Sequence, residues 1–471
     1  MATKYYFAVD LGATSGRTIL AAYDGDKVEM HEISRFRYPM MPACGHLYWN
    51  LPLIYQSILD GLRQVDVPLT SIGIDSWGCD VAYFHADGSL SGLPYCYRDS
   101  HTDGAADRFC GRMPREEVYA RTGIQFMDFN TLFQLDTIHR DSPEIIDAAD
   151  KILFIPDALA YMLTGNAVCE YTVASTSQIL NPATGDLDEE LLAVLGIPRH
   201  KFGMMVSPGY KIGVLTPQIQ EYTGLGEVPV VAVAGHDTAS AVLAVPAAGA
   251  DYAYLSCGTW SLLGIESPAA IINEKSMLYN FTNEGGIDGT TRFLKNICGL
   301  WIFERCREEF KDAPADVGAL AALCPESDCD SIIDPDDPSF AHPVSMTAAI
   351  DAYCMRTGQP VPAAVADYVR VTFRSLARRY GAVLDRLRQF SPHEINRLHV
   401  IGGGSQNKYL MQLTADELGI PVVAGPTECT ALGNVLVQLR AAGDLDTLAD
   451  MRRVSVNSTS TKTYKPQHQI K

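Results

Sequence analysis

At 471 residues the chain is too long for one ordinary hydrophobic core and points to two domains. It is 47% apolar and 20% charged, the balance of a well-packed soluble protein. The formal net charge of −19 argues against nucleic acid or an anionic membrane as a partner, while a small anionic ligand held by backbone amides stays admissible. The start of the chain enters a strand at once, without a basic-then-apolar leader, and no stretch approaches the roughly 18 apolar residues of a membrane span. Twelve cysteines are scattered from Cys44 to Cys429 with no C-x-x-C pair. Neither zinc ligation nor a disulfide framework is expected, and a cytoplasmic location fits.

In chain order, residues 5–36 read as three short strands, broken by the Gly-rich turn DLGATSGR and by a D-G-D turn. LPLIYQSILDGLRQV (51–65) carries apolar residues at helical spacing. TSIGID (70–75), CDVAYFHADG (79–88) and GLPYCY (92–97) are further strand candidates, and residues 104–227 read as mainly helical. VPVVAVAGHDTASAV (228–242) is a buried strand running into a helix. After a stretch of Ala, Gly and Pro near 245–250, YAYLSCGTWSLLGIES repeats the opening plan of strand, Gly-containing turn, strand. Two domains that each open with such a hairpin follow the plan of actin-like ATPases.

An amphipathic helix is expected over Val365–Arg388, with Val365, Val369, Phe373, Leu376, Tyr380, Val383 and Leu387 as its buried stripe and its arginines on the solvated side. Residues 396–423 then read as strand, triple-Gly turn, helix and strand.

Four turns carry candidate chemistry. Asp10 ends a buried strand and is followed by small residues whose amides are open to a phosphate chain, with the Asp placed to hold a hydrated magnesium ion. The alternative is a tight hairpin in which Gly serves geometry and Asp caps the turn. The turn at Gly258 and Thr259 says little alone, but with the first it makes a candidate pair of phosphate clamps. His236, Asp237 and Thr238 lie where a strand meets a helix, where a carboxylate can accept a hydroxyl proton during phosphoryl transfer. Spacing alone favours the other use, an Asp or Thr that caps and only starts the helix. Gly402, Gly403 and Gly404 let a flat ligand approach the backbone. A dinucleotide fingerprint fails because Asn407 stands at its third glycine, and no Walker-type loop is present. The HRD at His139–Asp141 lacks the other elements of a protein kinase.

The segments DLGATSGR, GIDSWGCD, YRDSHT, GIQFMDFNTLFQL, EYTVASTSQ, GHDTASA, LSCGTWSLLG, TNEGG, LKNICGLW, GGGSQN and GPTECTALGN, in this order, resemble the FGGY family of carbohydrate kinases over almost the whole chain. The resemblance implies an α/β fold of two actin-like ATPase (ribonuclease H-like) domains with an interdomain catalytic cleft. A sugar-binding N-terminal domain with the general base would span 1–245, and a nucleotide-binding C-terminal domain 246–471. It implies that Ala13, Thr14, Ser15, Gly16 and Arg17 contact the phosphates of ATP, with Thr259 from the second domain and Gly402 against the adenosine. Gly78, His236, Asp237, Thr238 and Asn296 would contact the sugar, Asp237 as general base, and Asp10 would orient Mg2+. Where the family pattern has Gln at a nucleotide contact, this chain has Glu304. The implied reaction phosphorylates the C1 hydroxyl of a ketose, L-rhamnulose first and L-fuculose as the alternative. A monomer or homodimer without nucleic-acid or membrane partners is implied. A non-enzymatic actin-like ATPase is the remote alternative.

Overall fold

The computed structural model describes residues 3–467 apart from 248, 312, 315 and 342. Ala248, in the expected small-residue stretch, therefore lies outside the described residues. Two compact units are present, the first made of Met1–Pro246, Glu266–Phe293 and Thr430–Ser458, the second of Ala247–Ile265, Leu294–Cys429 and Thr459–Lys471.

The sheet of the first unit is built from β1 (Lys4–Leu11), β2 (Ser15–Tyr23), β3 (Val28–Arg37), β4 (Leu69–Asp75), β5 (Lys211–Val214) and β6 (Pro229–Val231). Their order is β3-β2-β1-β4-β6-β5. β1, β2 and β3 pair antiparallel, β4 lies parallel to β1, β6 parallel to β4, and β5 closes the edge antiparallel. Helix α1 (Leu51–Leu62) starts where the Asn50 side chain accepts from the Leu53 amide at 3.1 Å. It buries Ile54 and Ile58 in the same core as Phe7, Val9, Ile72 and Ile74.

The second unit holds β7 (Tyr252–Cys257), β8 (Trp260–Ser267), β9 (Thr291–Cys298), β10 (Arg397–Ile401), β11 (Val422–Ala424) and β12 (Lys462–Tyr464), the last residues of β8 and the first of β9 belonging to the first unit. Neighbours run β9-β8-β7-β10-β11-β12. β7 pairs antiparallel with β8 and parallel with β10, β11 follows parallel and β12 antiparallel. The first four positions repeat the chain order of the first sheet, the last two are exchanged, and a further strand, Thr282–Gly285, lies beyond β9, so the plan inferred from two hairpin turns extends through four strands.

Local expectations fail where backbone chemistry intervenes. GLPYCY forms no strand: Pro94 has no amide to give, and Tyr95 makes only an isolated bridge to Tyr48. The strand at 229 stops at Val231, because the next residues turn their backbone to other partners, Gly235 donating to Glu170 Oε2 at 3.0 Å. The segment 104–227 contains short strands as well as helices, among them Lys151–Phe154, which pairs antiparallel with Val81–Phe84. The long helix forms over Val365–Leu387 with Val365 only half-buried. Its arginines are not simply solvated. Arg370 and Arg374 reach Asp330, and Arg379 reaches Asp336 at 2.9 Å through Nε.

Candidate active site

The first turn is held from behind by one buried phenol. Gly12 N donates to Ser15 O at 3.0 Å, and the Tyr38 hydroxyl lies 2.5 Å from Gly12 O and 2.9 Å from Ser15 O. Tyr38 N also donates to Thr14 O at 3.4 Å. Three carbonyls of the turn are thus taken up on the Tyr38 side. Gly16 is demanded by packing, since a Cβ there would stand 2.5 Å from Leu11 Cδ2 and 2.8 Å from Phe36. Asp10, at the end of β1, faces Arg17 across the hairpin and pairs with its guanidinium.

In the parallel register Asp10 lies beside Asp75, the last residue of β4. Asp75 is fully buried, its Oδ2 accepts from Asn434 Nδ2 at 2.6 Å, and its Oδ1 has no hydrogen-bond partner among the described residues. Burial, then the neighbouring Asp10, pushes its carboxyl well above the usual carboxylate range, against the Asn434 bond. Asn434 is braced in turn by Gln438 Nε2, 2.7 Å from its Oδ1, and Gln438 Oε1 accepts from Ser71 at 2.7 Å.

After β4 the chain makes the GIDSWGCD turn. Asp80 is its anchor: Oδ2 accepts from the indoles of Trp49 (2.5 Å) and Trp77 (2.9 Å) and from Tyr97 N (3.2 Å), and Oδ1 from Gln134 (2.8 Å). Even with four donors, complete burial lifts its pKa from 3.8 to about 6. Gly78 is needed for close approach, because a Cβ would meet Thr176 Oγ1 at 2.7 Å.

The same turn seats the GHDT segment. Ser76 N donates to Gly235 O at 2.9 Å and Asp237 N to Ser76 O at 2.8 Å. From beneath, Glu170 caps the helix Tyr171–Ala174 and accepts from Gly235 N, while Thr172 Oγ1 accepts from His236 N at 3.3 Å. Helix α2 (Asp237–Leu243) therefore begins with His236 as N-cap, and no side-chain cap bond is made. That removes the capping alternative for Asp237, which stands at the first helical position. Its side chain is 30% exposed, and its Oδ1 accepts from Thr238 Oγ1 at 3.1 Å and lies 3.4 Å from His236 Nε2. The first unit thus brings together Asp10, the turn 13–17, Gly78, His236, Asp237 and Thr238.

Thr259, Asn296, Glu304 and Gly402 lie in the second unit. Leu300 N donates to Gly258 O (3.0 Å) and Trp301 N to Thr259 O (3.2 Å), so the helix Trp301–Glu309 starts on the hairpin turn. Glu304 sits one turn along and pairs with Arg307. The carboxylate in place of glutamine therefore has a cation beside it. Gly402, at φ 83°, passes so close to the end of β7 that a Cβ would stand 3.1 Å from Cys257 O. Asn296 is half-buried on β9.

Sequence reading missed Asp75, Asp80, Tyr38, Asn434 and Glu170. GIDSWGCD displayed two of these carboxylates, yet only its glycine was singled out. Nothing local marks Tyr38 or Asn434, whose partners lie 26 and 359 residues away. The HRD histidine bonds Leu195 O at 2.7 Å, a structural use. All twelve cysteines are free thiols. Among the described residues no cluster of three or more acidic, His or Cys side chains forms a metal cage, and no helix is long and apolar enough to cross a membrane.

Solved sugar kinases share this architecture. Gluconate kinase from Lactobacillus acidophilus superposes with a TM-score of 0.82 at 17% identity, covering 99% of this chain and 94% of that one. Ligand-bound xylulose kinase from the same organism gives 0.82 at 18%, covering 98% and 94%. The fold is that of the two-domain carbohydrate kinases. The N-terminal domain model of the FGGY family of carbohydrate kinases matches residues 5–244, and its C-terminal domain model matches 253–442. The chain belongs to this family and is a carbohydrate kinase. It is 51% identical over 469 residues to a rhamnulokinase of Bacteroides thetaiotaomicron, covering 98% of this chain and 96% of that protein. A rhamnulokinase of Pectobacterium atrosepticum is 43% identical over 474 residues, covering 99% and 94%.

Proposed function

We propose that the chain transfers the γ-phosphoryl group of ATP to the C1 hydroxyl of L-rhamnulose, giving L-rhamnulose 1-phosphate and ADP in the cytoplasm. The substrate is that named by relatives 43–51% identical over nearly the full length. The observation that carries the chemistry is Asp237, whose partly exposed carboxylate stands at a helix start that makes no side-chain cap bond.

In this reading Asp237 accepts the C1 hydroxyl proton as the oxygen attacks phosphorus, and most of the acceleration comes from positioning and charge stabilisation. Gly78, His236, Thr238 and Asn296 hold the sugar. Ala13 to Arg17 and Thr259 hold the phosphates, Gly402 packs on the adenosine, and Glu304 reaches the nucleotide as half of an ion pair. A carboxylate at the end of β1 and the Asp75 oxygen behind it, which has no hydrogen-bond partner among the described residues, are hard donors of the kind Mg2+ takes. Asp10, backed by Asp75, would hold the ion, which supplies charge neutralisation on the phosphate oxygens when bound. Residues 1–245 carry the sugar and base functions in this account and 246–471 the nucleotide functions.

A coupled ADP-release assay over a panel of ketoses and aldoses tests the reading. L-rhamnulose should give the highest kcat/KM. A higher value on L-fuculose would move the substrate, and ATP turnover indifferent to every sugar would defeat the reading.

A further inference from the structure

Behind His236 lies a buried ion pair to which no role has been given. His236 Nδ1 is 3.1 Å from Arg292 Nη2 and 3.4 Å from Glu284 Oε2. Arg292 is 1% exposed and Glu284 4%, and Arg292 Nη1 lies 3.1 Å from Glu284 Oε2. Opposite charges this deep are tolerable because each neutralises the other. Arg292 Nε donates to Gly285 O at 2.9 Å, and Gly285 N to Ser175 Oγ at 2.7 Å. The His236 amide bonds Thr172, in the same helical segment. Both sides of the histidine–arginine contact are therefore tied to one short stretch of backbone, which fixes their separation.

Guanidinium nitrogens donate and never accept, whereas a neutral imidazole offers one donor and one acceptor nitrogen. A nitrogen that faces Arg292 Nη2 at hydrogen-bonding distance is the acceptor. On the opposite edge, Nε2 stands 3.4 Å from Asp237 Oδ1, an oxygen that accepts. With the proton on Nδ1 instead, it would gain only the longer 3.4 Å approach to Glu284 Oε2, while donor would face donor at the shorter Arg292 contact and acceptor would face acceptor at Asp237. We infer that Glu284 and Arg292 form a positioning pair that holds neutral His236 with its proton on Nε2, so that its edge beside Asp237 is a hydrogen-bond donor only.

The consequence for specificity rests on the proposed sugar contact of His236. A donor-only edge, which can also turn to Asp237 Oδ1, favours a sugar oxygen able to accept at that place over a group that can only donate. Glu284 keeps Arg292 neutralised without competing for the shorter contact, and acts through Arg292 rather than on the substrate.

The tautomer can be read on the intact protein without sugar or nucleotide. Full-length protein labelled with 15N-histidine is examined by long-range 1H–15N correlation, His236 being assigned by its loss in His236→Gln. The expected pattern is an unprotonated, pyridine-type Nδ1 and a pyrrole-type Nε2. Arg292→Met should move the proton to Nδ1, toward Glu284, and lower kcat/KM for the sugar about 10- to 100-fold, the usual cost of losing such an orienting partner. KM for ATP should stay unchanged. Arg292→Lys keeps a donor and should restore the tautomer and part of the activity. If Arg292→Met leaves too little folded protein, the double variant Glu284→Gln/Arg292→Met removes both charges and is read the same way. A parent chain with its proton on Nδ1 would overturn the inference, as would a folded Arg292→Met variant in which sugar and ATP parameters fall together. Because the tautomer is read without substrate, Nδ1–H in an active kinase refutes the inference alone, and Nε2–H in a chain inert to all sugars refutes the proposed function alone.

Discussion

Replacing Asp237 by Asn separates chemistry from folding unusually well in this chain. Asn keeps the shape and one acceptor, so the 3.1 Å bond from Thr238 can persist, and the helix start makes no side-chain cap bond that could be lost. With the side chain 30% exposed, the cost to stability is at most about 1 kcal/mol, the worth of one ordinary hydrogen bond. In a protein of this size that moves Tm by no more than about 2–4 °C. Loss of a general base removes roughly 10²- to 10⁴-fold in rate. At about 1.4 kcal/mol per tenfold, that is some 3–5 kcal/mol of barrier. Coupled ADP release should therefore show kcat down at least about a hundredfold, with the KM for sugar little changed and a near-parental melting curve. A folded variant that turns over within a few-fold of the parent would show that Asp237 is no base. A variant that melts far below the parent would show that the carboxylate is structural after all.

Further outcomes follow from the same geometry. Gly12→Val or Thr259→Val should weaken ATP binding or transfer while sugar binding without ATP stays near normal; a Cβ at Gly12 would meet nothing closer than Ser15 O at 3.5 Å, an ordinary contact. Selective loss of sugar affinity would refute the assignment of those turns. Asp80 sets a pH dependence: its pKa in the fold lies above the ordinary value, so its contribution to stability is full below about 4 and is lost as pH rises through about 6. The lift from 3.8 to about 6 is worth roughly 3 kcal/mol. The stability gap between the parent and Asp80→Asn should shrink by that order from pH 4 to pH 7 in denaturant titrations, and a gap that widens would contradict it.

What sequence could reveal here follows the range of the forces. The hairpins, the amphipathic helix and the strand–Gly-turn–helix unit are set by near neighbours, through turn residues and periodicity, and all were legible. The paired sheets were legible only in outline: two Gly-containing turns suggested a shared plan, but the common order of the first four strands of each sheet appears only in the pairing. Asp237 shows the limit most clearly. Spacing alone favours a cap, yet His236 takes the N-cap position, which depends on Ser76 and Glu170 gripping the preceding backbone from elsewhere in the chain. Asp75 and Asn434, Asp80 and Trp49, His236 and Arg292 are pairs made by folding, and no local pattern marks them. Burial also works on them in ways composition does not show, lifting two acids within one six-residue turn above the ordinary carboxylate range.

The most direct test of the account follows phosphorus itself. ATP, Mg2+ and the purified chain are incubated with and without L-rhamnulose, and the products are read by 31P NMR with proton coupling. The account predicts slow loss of ATP without sugar, and rapid one-to-one formation of ADP and a phosphomonoester coupled to the C1 methylene protons when L-rhamnulose is added. Inorganic phosphate formed at the same rate whether or not sugar is present, or a phosphomonoester on another carbon, would contradict it.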